Sequence, residues 1–185
     1  KQIVVLAGMA EARFDGRICF VHLVVRPGSP PGIYRKLHLA PPERKLSTPG
    51  EAIPIFEAAG VRFGIQLCYD AHFPELSTRM ALAGAEVIFI PHASPRGTPE
   101  GKFSSWMRHL PARAFDNSLF VVACNQSGEN GAGLSFPGVT MALNPSGRLL
   151  AHDISGRQGL LMIDLKEKDL LDVRGHDMRF FLPSQ

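Results

Sequence analysis

Val61-Arg62-Phe63-Gly64-Ile65-Gln66-Leu67-Cys68-Tyr69-Asp70-Ala71-His72-Phe73-Pro74-Glu75 decides how this chain reads. Its first half is an apolar run with β-branched and aromatic residues, the composition of a buried strand. The run ends at Cys68. Pro74 suits the first turn of a helix, where its missing N–H has no bond to lose. Leu76, Met80, Ala81 and Ala83 give that helix an apolar face, and Gly84 suits the position that stops it. A further apolar run, 85–90, reads as the next strand. Cys68 therefore sits where a strand hands over to a helix. In open α/β sheets, ligands bind at that carboxyl edge. A thiol there is nucleophilic when a nearby cation or a helix N-terminus lowers its pKa. The competing reading is packing, because free cysteines are among the most buried residues.

Composition limits the alternatives. The 185 residues suit one domain of ordinary size. With 45% apolar and 20% charged residues, the chain is globular rather than disordered. The net charge of +3 is spread without a long basic run, which argues against a nucleic-acid surface. Three cysteines, Cys19, Cys68 and Cys124, are widely spaced and odd in number. They form neither a disulfide framework nor a zinc pattern, and a reducing, cytoplasmic setting is the simpler expectation. No apolar run is long enough to span a membrane, and no signal peptide is visible. The seven histidines show no metal spacing. His38, His72, His92 and His109 read as hydrogen-bonded or exposed side chains.

Upstream of the central stretch, Ile33-Tyr34-Arg35-Lys36-Leu37-His38-Leu39 reads as a short alternating strand. It carries Lys36 into a Pro-rich turn that holds Glu43. Taken alone, this is a surface strand with solvated charges. Residues 3–7 and 18–25 read as strands joined through an Asp15-Gly16 turn, hence antiparallel. Residues 27–32 are too rich in Pro and Gly for regular structure. Residues 53–56 and 61–67 read as a strand pair around Ala59-Gly60.

Downstream, 91–100 is a polar loop past a strand end, where substrate loops tend to sit. Phe103, Trp106, Met107 and Leu110 share one helical face, with Trp106 read as core, and Pro111 kinks or breaks that helix. Residues 119–124 read as a buried strand. Residues 139–143 and 148–151 read as a hairpin around Asn144-Pro145-Ser146-Gly147. Residues 159–165 read as a last strand, and 167–171 as one helical turn. Gly131-Ala132-Gly133 lacks the third glycine and the following helix of a dinucleotide site. Gly133-Leu134-Ser135-Phe136-Pro137 is not a Gly-x-Ser-x-Gly elbow.

Taken together, several stretches resemble the nitrilase superfamily of carbon–nitrogen hydrolases. They are Tyr34-Arg35-Lys36-Leu37-His38-Leu39, the downstream Glu43, and Cys68-Tyr69-Asp70 with Phe73-Pro74-Glu75. Arg113-Ala114-Phe115-Asp116-Asn117 is similar to that family's Arg-Ala-x-Glu-Asn helix motif, with Asp in place of Glu. Gly8-Met9-Ala10-Glu11 and Asn144-Pro145-Ser146-Gly147 fit its strand and hairpin patterns.

The resemblance implies an α/β fold, a nitrilase-like α-β-β-α four-layer sandwich of two mixed sheets flanked by helices. It also implies homodimers or higher homo-oligomers, and a Glu–Lys–Cys triad that needs no metal or other cofactor. By the same resemblance Cys68 is the nucleophile and Lys36 the cation beside it. Glu43 matches a second glutamate that orients the lysine or the substrate. The Tyr69 N–H serves as an oxyanion donor, and His92 lies on the oxyanion and substrate side. The family's general-base glutamate lies on a strand upstream of Gly8. The expectation is therefore a single hydrolase domain over 1–185 that is truncated at both ends and lacks its base. Residues 178–185 then form the entry to a C-terminal segment.

The chemistry implied is thiol-dependent hydrolysis of a small non-peptide amide or N-carbamoyl compound through an acyl-enzyme, with release of ammonia. Nitrile hydrolysis is the alternative. Family members acting on nitriles tend to carry Trp-Glu after the cysteine, where this chain has Tyr69-Asp70. A non-catalytic dimerising or regulatory module is the reading from a different class.

Overall fold

The computed structural model describes residues 3–176, so the expectation for 178–185 lies outside the described residues. Strand β1, Val5–Ala12, pairs antiparallel with β2, Ile18–Val25, from Val5↔Val25 to Ala12↔Ile18. β1 outlasts the expected 3–7 because β2 offers it a pairing partner along its whole length. The Asp15-Gly16 turn closes the hairpin, with the Arg17 N–H donated to the Asp15 carboxylate at 3.1 Å. β3, Gly32–Arg35, joins the free edge of β2 and completes a three-stranded sheet.

The second sheet has six strands and mixed direction. β4, Phe56–Ala58, and β5, Val61–Ile65, form its hairpin. β4 starts later than the expected 53–56, and Pro54, which has no N–H to give a ladder, falls outside it. β5, β6 (Val87–His92) and β7 (Phe120–Asn125) are parallel, with Phe63, Val87 and Phe120 in register. Two short strands, β8 (Gly128–Glu129) and β9 (Ser135–Phe136), form a separate ribbon around Gly131-Ala132-Gly133. β10 (Thr140–Leu143) and β11 (Leu149–Asp153) extend the six-stranded sheet antiparallel to β7, as the hairpin reading expects. Its order is β11-β10-β7-β6-β5-β4.

Helix α1, Pro74–Leu82, ends as Gly84 allows. Gly84 has φ +91°, its N–H reaches the Ala81 carbonyl at 2.9 Å, and the Ala85 N–H reaches Met80 at 3.0 Å. This is a Schellman stop, which needs a left-handed residue at that position. Leu76 and Met80 of α1 are buried in one core with Leu110 and Ala114 of α3, Leu110–Asn117. Gly64 lets α1 sit down on β5, since a Cβ there would come within 2.6 Å of the Met80 sulfur. The three-stranded sheet contributes Val24 and Tyr34 to the core that holds Phe56 and Phe63. The class is α/β with mixed sheets, and the described residues supply helices, six-stranded sheet and three-stranded sheet in turn.

Three expectations change. The helix carrying Trp106 is α2, Pro99–Met107, and it ends before Pro111, which lies in the first turn of α3. A proline in the first turn costs no hydrogen bond, so it opens the next helix. Residues 159–165 are not a strand. Leu160 and Met162 are 84% and 83% exposed, so the alternation is there without a neighbouring strand to pair it. The last helical turn is a full helix, α4, Glu167–Arg174. Among the described residues no helix is long and apolar enough to cross a membrane.

Candidate active site

From sequence alone, β5 runs straight into α1. The structure places a 3-10 turn, Cys68–His72, between them. Cys68 opens this turn with φ +50°, in the left-handed region that residues with side chains rarely occupy. Such outliers persist only where their surroundings hold them, and they gather at functional sites.

The group that holds this one is Asp70, which is fully buried. Its Oδ2 accepts the Leu67 N–H at 2.9 Å and the Tyr34 hydroxyl at 2.8 Å. Its Oδ1 accepts the His38 N–H at 2.8 Å and lies 3.0 Å from His38 Nδ1. One carboxylate thus fastens the Cys68 turn to the segment that carries Lys36. The His38 ring stacks on Phe73, centroids 3.6 Å apart. From the other side, Arg113 Nε donates to the Ala71 carbonyl at 3.1 Å, so the arginine of Arg113-Ala114-Phe115-Asp116-Asn117 braces the same turn. Asp70 has no role in the sequence reading. Its signal was its place three residues after Leu67, where a carboxylate can reach back to the first N–H of a turn.

Lys36 is 3% exposed, so it is not the solvated charge its segment suggests. Along β3 the side chains alternate. Tyr34 and Lys36 turn inward, and Arg35 turns outward to pair with Glu11 at 2.7 Å. Glu11 is thereby occupied away from Cys68. Lys36 Nζ donates to both oxygens of Glu43, each at 2.7 Å, and lies 5.8 Å from the centroid of the Phe20 ring. Glu43 also accepts the Ala40 N–H at 2.7 Å, which pins its own 3-10 turn, Pro41–Lys45. Among the described residues Glu43 is the one carboxylate within ion-pair distance of Lys36.

The electrostatics of Cys68 correct one expectation. Burial pushes its thiol pKa up, the Lys36 ammonium pulls it down, and the Glu43 carboxylate pushes it up again. The net direction is upward, not downward. Desolvation disfavours the thiolate, and Lys36 is already matched by Glu43, so its field at the sulfur is partly cancelled. The resting group is a protonated thiol that needs a base. Cys19 is a packed thiol, with Sγ donating to the Thr48 carbonyl at 3.2 Å. Cys124 is exposed on β7.

His92 stands at the end of β6 with its ring 4.5 Å from that of Trp106. Its Nδ1 donates to the Ile90 carbonyl at 2.8 Å, which leaves Nε2 as an acceptor. Burial pushes its pKa down to about 3. His109 is pushed down to about 4 by burial, then by the charges of His72 and Arg113, and it stacks on His72 at 4.7 Å. These imidazoles are neutral near pH 7, so His92 is suited to accept a hydrogen bond or form a wall rather than to carry charge. Tyr69 is the second residue of the Cys68 turn, where an N–H has no partner within the turn. Among the described residues no group of three or more His, Cys, Asp or Glu is placed to hold a metal ion.

A strand-end thiol beside an ammonium and its carboxylate also exists in known proteins that this chain resembles. An (R)-stereoselective amidase of a Pseudomonas species is 36% identical over 150 residues, which are 81% of this chain and 53% of the amidase. The chain thus spans about half the length of that relative. The protein YbeM of Escherichia coli K12, described only as putative, is 30% identical over 92% of this chain and 91% of its own. Among solved structures, an amidase from Nesterenkonia superposes with TM-score 0.79 and 26% identity, covering 92% of this chain and 64% of that one. That structure shows covalent addition of the acetamide moiety of fluoroacetamide at its active-site cysteine. The carbon–nitrogen hydrolase profile matches residues 1–174, from the first strand of the small sheet through the last described helix, and by this match the chain belongs to the carbon-nitrogen hydrolase family.

Proposed function

We propose that residues 1–185 form part of one hydrolase domain, with Cys68 as nucleophile. The substrate is a small non-peptide amide or N-carbamoyl compound, and the reaction passes through a Cys68 thioester. The observation that carries this reading is the buried Lys36–Glu43 pair, tied by Asp70 and Tyr34 to the turn that holds Cys68 in its left-handed conformation.

The geometry suits acyl transfer. An ammonium has three donors. Two of Lys36's meet the Glu43 oxygens, and the third is free for the oxyanion formed when sulfur attacks the carbonyl. The Tyr69 N–H is the second donor to that oxyanion. Each such donor supplies about 3 kcal/mol of transition-state stabilisation in well-studied enzymes. Glu43 fixes the ammonium in place. Because the Cys68 thiol is raised, a base must take its proton before or during attack. The resemblance assigns that base to a glutamate upstream of Gly8. Loss of ammonia leaves the thioester, and water hydrolyses it. Homodimeric assembly belongs to the same reading.

Amide hydrolysis is preferred to nitrile hydrolysis on Tyr69-Asp70 after the nucleophile. The test is a panel of butyramide, N-carbamoylglycine and butyronitrile, with ammonia and acid product measured for the full natural polypeptide. Turnover of the amide or carbamoyl compound, at least tenfold above the nitrile in kcat/KM, is the expected result. Turnover of butyronitrile alone would overturn it.

A further inference from the structure

Lys102 lies on α2, and its Nζ donates to the Ser94 hydroxyl at 2.6 Å. Ser94 is itself fixed. Its N–H donates to Asn125 Oδ1 at 2.9 Å, and its carbonyl accepts from Asn125 Nδ2 at 3.0 Å. Asn125 ends β7 in register with His92, which ends β6. Lys102 is therefore anchored at the carboxyl ends of the parallel strands, the edge from which Cys68 also follows β5. That edge is where open α/β sheets bind ligands.

The other side-chain cations that the structure anchors to side chains mostly have counter-ions: Lys36 has Glu43, Arg35 has Glu11, Lys168 has Asp172. Lys102 is half-buried, its hydrogen-bond partner is a neutral hydroxyl, and among the described residues no carboxylate lies within ion-pair distance of it. A charge withdrawn from water is ordinarily paired. Its ammonium also lowers the Cys68 thiol and disfavours charge on His92, so its field reaches the nucleophile and the wall beside it.

We propose that Lys102 determines specificity: the counter-ion it lacks is a carboxylate on the substrate, a few bonds from the carbonyl that Cys68 attacks, so that the site prefers amides or carbamoyl compounds bearing an acid group over neutral ones. This rests on the proposed role of Cys68. Succinamate and butyramide form a matched pair, since the carboxylate of the first stands where the second has a methyl group. Malonamate and glutaramate vary the spacing.

For the full natural polypeptide, kcat/KM for the best of the three amidic acids should exceed that for butyramide by about tenfold or more. A charge-assisted hydrogen bond carries this much discrimination. Lys102→Met should cut the acid-to-neutral ratio by about ten- to hundredfold, mainly through KM, and Lys102→Arg should restore most of it. Succinate binding, measured by calorimetry, should weaken in Lys102→Met to a similar degree, and this readout does not depend on turnover.

Butyramide turnover without acid preference, or a ratio unmoved by Lys102→Met, would overturn this proposal and leave the Cys68 reading intact. An equal loss of kcat on acid and neutral amides would show that Lys102 acts on the thiol, and would also overturn it. Succinate bound equally by wild type and Lys102→Met would do the same. Absence of all amide turnover, with succinate binding still dependent on Lys102, would instead count against the hydrolase reading alone.

Discussion

Cys68→Ala is expected to remove hydrolysis while leaving a folded protein. Loss of a covalent nucleophile costs about 10⁵- to 10⁶-fold in kcat where binding and oxyanion groups remain. The structural cost is small. Cys68 is only partly buried, and alanine carries the same Cβ in the same left-handed conformation, so backbone strain does not change. About 1 kcal/mol of stability is the expected loss, the ordinary effect of a single truncation. Ammonia release and denaturant unfolding, measured on the same samples, separate the two effects. Wild-type activity in Cys68→Ala would move the nucleophile elsewhere. Gross unfolding would show that the thiol serves packing.

Asp70→Asn is expected to damage both stability and rate. The buried carboxylate meets the Leu67 N–H, the Tyr34 hydroxyl, the His38 N–H and His38 Nδ1. Asparagine offers one oxygen, and its amide NH₂ must then face donors on the other side. Hydrogen bonds to a buried charge contribute about 1.5–3 kcal/mol each, so a loss of about 3 kcal/mol follows from two of them. The rate should fall as well, by about 100-fold, because the Tyr34–Asp70 link sets Lys36 against Cys68 and small misplacements are costly. A variant with wild-type unfolding and wild-type kcat would show that the link does not position the site. The Tyr34 hydroxyl offers a second readout. Burial and the adjacent Asp70 charge raise its pKa well above that of free tyrosine, and the neutral asparagine removes the second of these causes.

The stretch from Val61 to Gly84 was legible because its signals are local. An apolar run, a first-turn proline and a stopping glycine each act within a few residues. The hairpin around Asn144-Pro145-Ser146-Gly147 was legible for the same reason. Lys36 was not. A charged residue on a short alternating strand has the same local pattern whether it faces water or core. What buries it is a hydrogen bond between Tyr34 and Asp70, 36 positions apart in the chain. Family resemblance drew attention to Lys36, and the contacts explain its placement. Asp70 was in view and without a role, because its four partners come from three separate places in the chain. Residues 159–165 mislead in the opposite way. Their alternation is genuine, but a strand also requires a neighbour, which no alternation can supply. The thiol of Cys68 shows the limit of transferring a charge effect. A lysine beside a cysteine suggests a lowered pKa, yet burial and the Glu43 carboxylate outweigh it here.

The central claim is that Cys68 carries the acyl group. Acid quench of the full natural polypeptide during butyramide turnover, followed by peptide mass spectrometry, tests it most directly. The expected result is a butyryl thioester on the peptide that contains Cys68, absent from Cys68→Ala. A butyryl group on Cys19 or Cys124, or steady turnover by Cys68→Ala, would contradict it.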